Sequence, residues 1–196
     1  MTAKIKLNAA SGGGSISIQA PSSSSNNRVI TLPDIADGTL LTSSSTTGKI
    51  FQVVHTAKTS EFTSTSTSYT DLTGLSASIT PQSNSKVLAI VEIHSYVEFD
   101  NNEGYGIQLV RTPSGGSGTN VHTSANKYNV YGYTDLTSDN IQGAMKSCWH
   151  ILDSSVGGNG STAITYKVQV ANYTSSMIRY SQDGNLSSIT LMEIGA

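Results

Sequence analysis

Residues 86–99, KVLAIVEIHSYVEF, decide the fold of this chain. The stretch is rich in β-branched and other apolar residues and has no glycine or proline, which favours a long β-strand. Its apolar side chains do not alternate strictly, because Leu88, Ile90 and Ile93 fall on both faces of an extended chain. We therefore predict a central strand that is covered on both sides.

Further runs of this kind fill the rest of residues 49–196, and nowhere do apolar residues keep a helical period for three turns. The runs include KIFQVVHT, SASIT, YGIQLVRT, KYNVYGY, IQGAMKSCWHILD, AITYKVQVAN and SSITLMEIG. Between such runs we expect NNEGYG, RTPSGGSGTN, SVGGNGST and SQDGN to be hairpin turns. The sequence predicts an all-β protein whose C-terminal domain, residues 49–196, is an antiparallel β-sandwich or jelly roll.

Charge is scarce in this chain. Asp, Glu, Lys and Arg make up 12% of its 196 residues, and the formal net charge is -2. No run of Lys or Arg supplies the positive surface that phosphate binding requires, so we expect no nucleic-acid partner. No stretch approaches the ~20 apolar residues that span a bilayer, so we expect no membrane insertion.

The sequence contains no recognisable set of catalytic residues. Its four histidines, His55, His94, His122 and His150, are scattered one per region, and no nucleophile elbow of the G-x-S-x-G type occurs. The single cysteine, Cys148, has apolar neighbours and is expected to be a small buried side chain. We predict a protein without enzymatic activity, cofactor or metal.

Two alternatives concern the acidic stretch EFDNNEG, residues 98–104. Asp100, Asn102 and Glu103 could offer oxygen ligands to calcium, although a plain polar turn is the favoured interpretation. The acids Glu92, Glu98, Asp100 and Glu103 could serve an enzyme that cleaves polysaccharides. Such enzymes usually need a far larger scaffold, which disfavours this alternative.

The first 48 residues differ in kind. They contain GGGS, a serine run at 22–25 and TSSSTTG, and their few apolar residues cannot offset a backbone ordering cost of about 1–2 kcal/mol per residue. Short strands are expected at residues 4–7, 15–19, 28–32 and 39–42, and strands without a core become stable when other chains complete the sheet. We predict that residues 1–48 are an extended docking and oligomerisation arm with short intersubunit strands. The apolar residues of its assembly segment are Ile16, Ile18, Val29, Ile30, Leu32, Leu40 and Leu41.

Residues 14–45, GSISIQAPSSSSNNRVITLPDIADGTLLTSSS, resemble a recurring segment of tailed-phage virion proteins, particularly those of marine phages. The shared pattern is an alternating strand, Ala-Pro, a polar turn, a second strand ending in Leu-Pro, and then Gly-Thr-Leu-Leu-Thr. Residues 49–93, YKVQVAN at 166–172 and SSITLMEIGA at 187–196 are similar to the C-terminal domains that accompany this segment.

The resemblance implies a structural virion protein on the tail or the capsid surface, either a short fibre or appendage or a capsid-decorating cement protein. It also implies a homotrimer whose N-terminal arm docks onto other virion proteins while the β domain points outward. The chain lacks the extended repeat or coiled-coil shaft of long tail fibres, which favours a capsid-bound fibre or cement protein.

One stretch of the β domain suggests a contact surface. NKYNVYGYTD, residues 126–135, carries Tyr128, Tyr131 and Tyr133. A tyrosine offers a flat apolar face and a hydroxyl, which suits stacking on sugars and hydrogen bonding at interfaces. These three residues are candidate contacts to a host receptor or surface glycan, as in an adhesin at a tail tip. The alternative is that Tyr131 and Tyr133 share one strand face and pack in the sandwich or against a sister chain.

Overall fold

The computed structural model describes residues 4–19, 22–25, 49–99, 102–133 and 141–195. The chain divides into two compact units, Met1–Ser43 and Ser44–Ala196. The predicted domain boundary at residue 48 stays a prediction, because residues 26–48 lie outside the described residues. The strands predicted at 28–32 and 39–42 lie there too, and so do five candidate assembly residues: Val29, Ile30, Leu32, Leu40 and Leu41.

The described residues form thirteen β-strands and two short 3₁₀ helices, Ala125–Lys127 and Gln182–Gly184. The strands are β1 (Lys4–Asn8), β2 (Ser15–Gln19), β3 (Ile50–Lys58), β4 (Phe62–Ser64), β5 (Thr70–Ile79), β6 (Lys86–Phe99), β7 (Asn102–Pro113), β8 (Thr119–Thr123), β9 (Val130–Tyr133), β10 (Ile141–Asp153), β11 (Ile164–Asn172), β12 (Ile178–Tyr180) and β13 (Ser187–Ile194). In this part of the chain, no helix has the length and apolar character needed to cross a bilayer.

The first unit contains a β-hairpin. Strands β1 and β2 pair antiparallel, at the positions predicted from the sequence, with Ile5 opposite Ile18. Residues directly opposite each other point to the same side of a sheet, so Ile5, Leu7 and Ile18 share one side of the hairpin. All three side chains are more than half exposed. The hairpin therefore has an apolar side that its own two strands leave exposed.

The second unit is the all-β sandwich that the sequence predicts. Its larger sheet has the strand order β3-β13-β6-β12-β4, with β10 paired to the other edge of β6. Its smaller sheet has the order β5-β11-β7-β8, with β9 also paired to β7. All of these pairs are antiparallel. Apolar side chains from both sheets meet in one buried core.

Three fully buried tyrosines, Tyr105, Tyr166 and Tyr180, are among the largest side chains of this core. The Tyr105 hydroxyl donates to Oγ of Ser95 at 3.0 Å, and the Tyr180 hydroxyl donates to Oδ1 of Asn172 at 3.2 Å. The rings of Tyr105 and Tyr180 pack edge to face, 5.1 Å between centroids. Bulky rings can therefore fill the core without leaving these hydroxyls unpaired.

Strand β6 is central, as predicted, because it pairs with β10 on one edge and with β13 and β12 on the other. The expectation of cover on both faces holds only in part. Odd-numbered residues from Val87 to Phe99 are buried, whereas even-numbered residues from Leu88 to Glu98 stay partly exposed. Strict alternation therefore holds after all: Ile93 lies on the core side and Leu88 and Ile90 lie on the outer side.

The expectation of a buried Cys148 is wrong, because its side chain is exposed. Along β10 the odd-numbered residues turn inward, so Trp149 and Ile151 pack against the core while Cys148 and His150 turn outward. The Cys148 Sγ lies 3.4 Å from Nε2 of His150. Apolar neighbours in sequence do not bury a strand residue, since successive side chains point to opposite faces.

Only one of the four expected hairpin turns joins two strands that pair with each other. RTPSGGSGTN connects the paired strands β7 and β8. NNEGYG and SVGGNGST instead carry the chain from the larger sheet to the smaller one, from β6 to β7 and from β10 to β11. SQDGN joins β12 and β13, which both pair with β6. Turn residues thus locate the changes of direction but not the strand partners.

A buried ion pair ties the two sheets together. From β7, Nη1 of Arg111 donates to both carboxylate oxygens of Asp153, at the end of β10, at 2.7 Å. From β11, the Tyr166 hydroxyl donates to Oδ2 of Asp153 at 2.9 Å. Burial, together with the nearby Asp153 charge, raises the pKa of Tyr166 and keeps its hydroxyl a donor. The Asp153 side chain is only 4% exposed, so water cannot replace these partners.

We expect Asp153→Ala to destabilise the fold by about 3 kcal/mol, because it leaves the Arg111 charge and the Tyr166 hydroxyl without their partner. The melting temperature should fall by roughly 10 °C, measured by circular dichroism during heating. Glu61→Ala removes an exposed carboxylate from the same unit and is the control, with unfolding close to that of the wild type. A melting temperature for Asp153→Ala equal to that of the control would contradict the role given to the ion pair.

Candidate functional site

Three tyrosine rings meet at the surface of the sandwich: Tyr128, Tyr131 and Tyr173. Their ring centroids lie 4.6 Å apart for Tyr128 and Tyr131, 5.0 Å for Tyr131 and Tyr173, and 5.6 Å for Tyr128 and Tyr173. Tyr128 is 51% exposed and Tyr131 is 38% exposed. We call these three residues the tyrosine cluster. The cluster presents aromatic surface to solvent and not to the core.

A glycine in β7 places Tyr131. Strand β9 pairs with the start of β7, and Tyr131 lies opposite Gly104. A Cβ on Gly104 would lie 2.1 Å from the Val130 carbonyl oxygen, and the φ of +155° at Gly104 is one that other residues rarely adopt. The Tyr131 hydroxyl donates to Oδ1 of Asn102 at 2.8 Å. The close approach of β9 to β7 therefore depends on the absence of a side chain at position 104.

The helical turn before Tyr128 is fixed by hydrogen bonds that its Lys127 side chain donates to neighbouring segments. The Lys127 ammonium donates to the carbonyl oxygens of Thr67 and Asn172, at 2.6 and 3.2 Å. Lys127 itself has a φ of +61°, a conformation uncommon outside glycine and asparagine. A charged side chain and a strained backbone therefore hold Tyr128 in position.

Tyr173 follows β11 in a loop that is hydrogen-bonded to the Glu103 side chain. The backbone nitrogen of Tyr173 donates to the Gly104 carbonyl oxygen at 2.7 Å. The Glu103 side chain belongs to a buried residue, and its two carboxylate oxygens accept from the hydroxyls of Thr174 and Ser176 at 2.5 Å. These three hydrogen bonds order the loop that carries Tyr173.

The acidic stretch that could have offered calcium ligands has other partners. The Asn102 amide oxygen accepts from Tyr131, and the Glu103 carboxylate accepts from two hydroxyls. Asp100 lies outside the described residues. Among the residues that are described, no group of three His, Cys, Asp or Glu side chains is placed to hold a metal ion. Asn102 and Glu103 therefore position the tyrosine cluster.

The hydroxyls of Tyr128 and Tyr131 favour the protonated state. Hydrogen bonding to Tyr173 raises the pKa of Tyr128, and removal from water raises the pKa of Tyr131. Neutral phenols stay hydrogen-bond donors and keep their aromatic faces free of charge. The cluster suits a neutral ligand that combines apolar C–H faces with hydroxyl groups, as a sugar ring does.

The structure brings together two of the three tyrosines expected at this surface. Tyr133 is 62% exposed and shares the outer side of β9 with Tyr131, whereas Val130 is buried on the core side. The alternative prediction, that Tyr131 and Tyr133 pack inside the sandwich, is therefore wrong. Contact with a host glycan or a sister chain stays a prediction. Sequence reasoning missed Tyr173, because only the pairing of β11 with β7 brings its loop beside β9.

The histidines do not gather around the cluster. The His122 ring packs edge to face against Trp149, with centroids 4.8 Å apart. Nδ1 of His55 lies within hydrogen-bonding distance of Oγ1 of Thr190, at 2.8 Å. His150 lies beside Cys148 on the outer side of β10.

No protein-family model matches this chain, and no curated protein matches it in sequence. Among solved structures, the chain is similar to a structure of infectious bursal disease virus, Gx strain, at 16% identity and a TM-score of 0.37, with 96% of this chain and 46% of that chain covered. A mutant VP2 protein of the same virus, in derived T=1 particles, matches at 12% identity and a TM-score of 0.34, with 96% and 44% covered. The chain thus spans less than half the length of these structures.

We expect Gly104→Ala to separate β9 from β7, because the new methyl group would collide with backbone atoms of Val130 and Tyr131. The cost should be at least ~3 kcal/mol in the free energy of unfolding, measured by chemical denaturation. Gly115→Ala is the matched control: its φ is also positive, at +75°, but its surroundings are open, so it should cost only ~1–2 kcal/mol. Equal costs for the two variants would show that backbone conformation alone, and not close approach, requires the glycine at 104.

Proposed function

We propose that this chain is a non-enzymatic structural protein of a virus particle, a short fibre or capsid-bound appendage of a tailed phage. In this proposal the N-terminal hairpin docks the protein onto the particle and the sandwich faces outward. The observation that carries the proposal is the apolar side of the β1–β2 hairpin.

A two-stranded hairpin is only marginally stable alone in water. Ile5, Leu7 and Ile18 on one side are 65%, 60% and 57% exposed, while Lys6 and Ser17 alternate with them on the other side. Full burial of each apolar side chain would contribute about 1.5–3 kcal/mol. A hairpin with one apolar and one polar side is therefore suited to lie on another protein surface.

The kind of partner follows from the sequence resemblance. Residues 14–45 include β2 and resemble a segment of phage virion proteins, which supports docking onto sister subunits or other virion proteins. The same resemblance supports a homotrimer on the tail or on the capsid surface. This role has two forms: the protein is either a short fibre or a cement protein that stabilises the shell.

Particles assembled with the doubly substituted chain Ile5→Asp and Ile18→Asp should lack the protein, because two carboxylates on the docking side oppose burial. Immunogold electron microscopy with antibody against the sandwich measures incorporation. Lys6→Asp with Ser17→Asp places the same groups on the polar side and should leave the label in place. Label on the tail would favour a fibre, and label on the head would favour a cement protein. Wild-type particles without label would contradict the proposal.

A second candidate function rests on the tyrosine cluster, namely contact with a host-surface glycan. Aromatic faces stack on the C–H faces of sugars. The Tyr131 hydroxyl and its hydrogen-bond partner Asn102 supply polar contacts beside them. The cluster is held by Gly104, Glu103 and Lys127, so a ligand would meet it already ordered.

Tyr128→Ala, Tyr131→Ala, Tyr133→Ala and Tyr173→Ala should each weaken adsorption to host cells by about tenfold, because each removes a stacking surface. Binding of the purified protein to an array of surface glycans provides the direct measurement. Tyr96→Ala, which alters a partly exposed tyrosine on the other sheet, is the matched control and should bind like the wild type. Unchanged binding for all four variants would remove this candidate.

A further inference from the structure

We propose that the outer face of the larger sheet packs against a second copy of this chain. The outer face consists of the solvent-side residues of four adjacent strands, β3, β13, β6 and β10. The inference goes beyond the proposed function, since it requires neither the N-terminal hairpin nor a virus particle.

Antiparallel pairing brings the side chains of this face into rows that run across the strands. The first row is Val53, Met192, Leu88 and Leu152. The second row is His55, Thr190, Ile90 and His150. The third row is Ala57, Ser188, Glu92 and Cys148. Before the first row, Ile194 lies opposite Ile50 and Lys86.

The first row makes the face unusual for a surface. Four apolar side chains lie directly opposite one another, with Val53 55% and Leu152 51% exposed at the two ends. Ile50, at 58% exposure, and the partly exposed Ile90 extend the apolar area on either side of the row. Solvent-facing sides of antiparallel sheets normally carry polar residues. This face is instead composed like one that another surface covers.

The size of the face fits a protein partner. Four strands spaced ~4.8 Å apart and four rows spaced ~6.8 Å apart give an area of roughly 500 Å². Two such faces together would bury about 1,000 Å², close to the lower limit for a specific interface between proteins. The face is an open sheet surface, whereas small molecules bind in concave pockets.

The charges of the face favour a copy of itself as that partner. Lys86 lies at one end of the β6 segment and Glu92 lies six residues away at the other end. Nζ of Lys146, one row further along, lies 2.9 Å from a Glu92 carboxylate oxygen. A surface with both signs at its ends and an apolar row between them does not repel its own copy. The face also has no patch of a single charge sign that would attract a strongly charged partner.

The single cysteine offers a probe of this face. Cys148 is exposed and lies in the third row, opposite Glu92. If two copies pack through this face, the thiol should become less reactive as the protein concentration rises. An oligomer held only by the N-terminal arm would leave the thiol as reactive as in the dilute protein.

The test compares the full chain with the double variant Val53→Lys and Leu152→Lys. Both residues are more than half exposed, so the fold should tolerate the change, while two cations in the apolar row oppose association. Sedimentation equilibrium should show that the dissociation constant for self-association rises on the order of 100-fold. The rate at which maleimide modifies Cys148 should fall about tenfold with increasing concentration for the wild type and stay constant for the variant.

Met177→Lys is the matched control, because Met177 is 46% exposed and lies outside the strands of this face. It should associate like the wild type. A wild-type chain that stays at 20.5 kDa at all concentrations would overturn the proposal. So would an oligomer that the double variant leaves intact, or a thiol that is protected even in the dilute monomer, which would indicate cover by the same chain. Virion labelling is measured separately, so failure of the proposed virion role would not be confused with failure of this one.

Discussion

The larger sheet depends on one constraint, which is that β6 is paired along both edges and buried on one face only. Its residues from Val87 to Phe99 pair with the whole of β10 on one edge, and β13 and β12 share the other edge. A slip of one residue would turn Val87, Ala89 and Val91 to the outside and bring Glu92 into the core. The apolar side of β6 must face the core, and this requirement fixes the register of β10 and β13.

The ion pair between Arg111 and Asp153 supplies what alternation cannot, because it relates one sheet to the other. Asp153 ends β10 in the larger sheet, while Arg111 and Tyr166 lie on paired strands of the smaller sheet. Apolar packing holds the sheets together but tolerates many relative positions. A buried carboxylate paired with a fixed cation and a fixed hydroxyl allows few relative positions of the two sheets. Displacement would leave a charge unpaired in the interior.

The sequence was informative wherever a local pattern decides the outcome. Period-two alternation predicts most strands and the sandwich class, and turn residues mark where strands end. Strand partners depend on contacts between distant residues, so the crossing of NNEGYG and SVGGNGST between sheets could not be derived. The apolar neighbours of Cys148 favour burial, but alternation along β10 turns its side chain outward. Tyr128 and Tyr131 were found from their spacing, whereas Tyr173 needed the pairing of β11 with β7.

The placement of the ion pairs also determines how the sandwich responds to ionic strength. Within the described residues, the pair of Arg111 and Asp153 is nearly enclosed, while Lys146 with Glu92 and Lys167 with Asp71 have side chains that are one-third to one-half exposed. Dissolved salt screens exposed pairs, which contribute about 0–1 kcal/mol each, and hardly reaches an enclosed one. Charged residues make up only 12% of the chain. The free energy of unfolding of the sandwich should therefore be nearly the same at low and at high salt concentration.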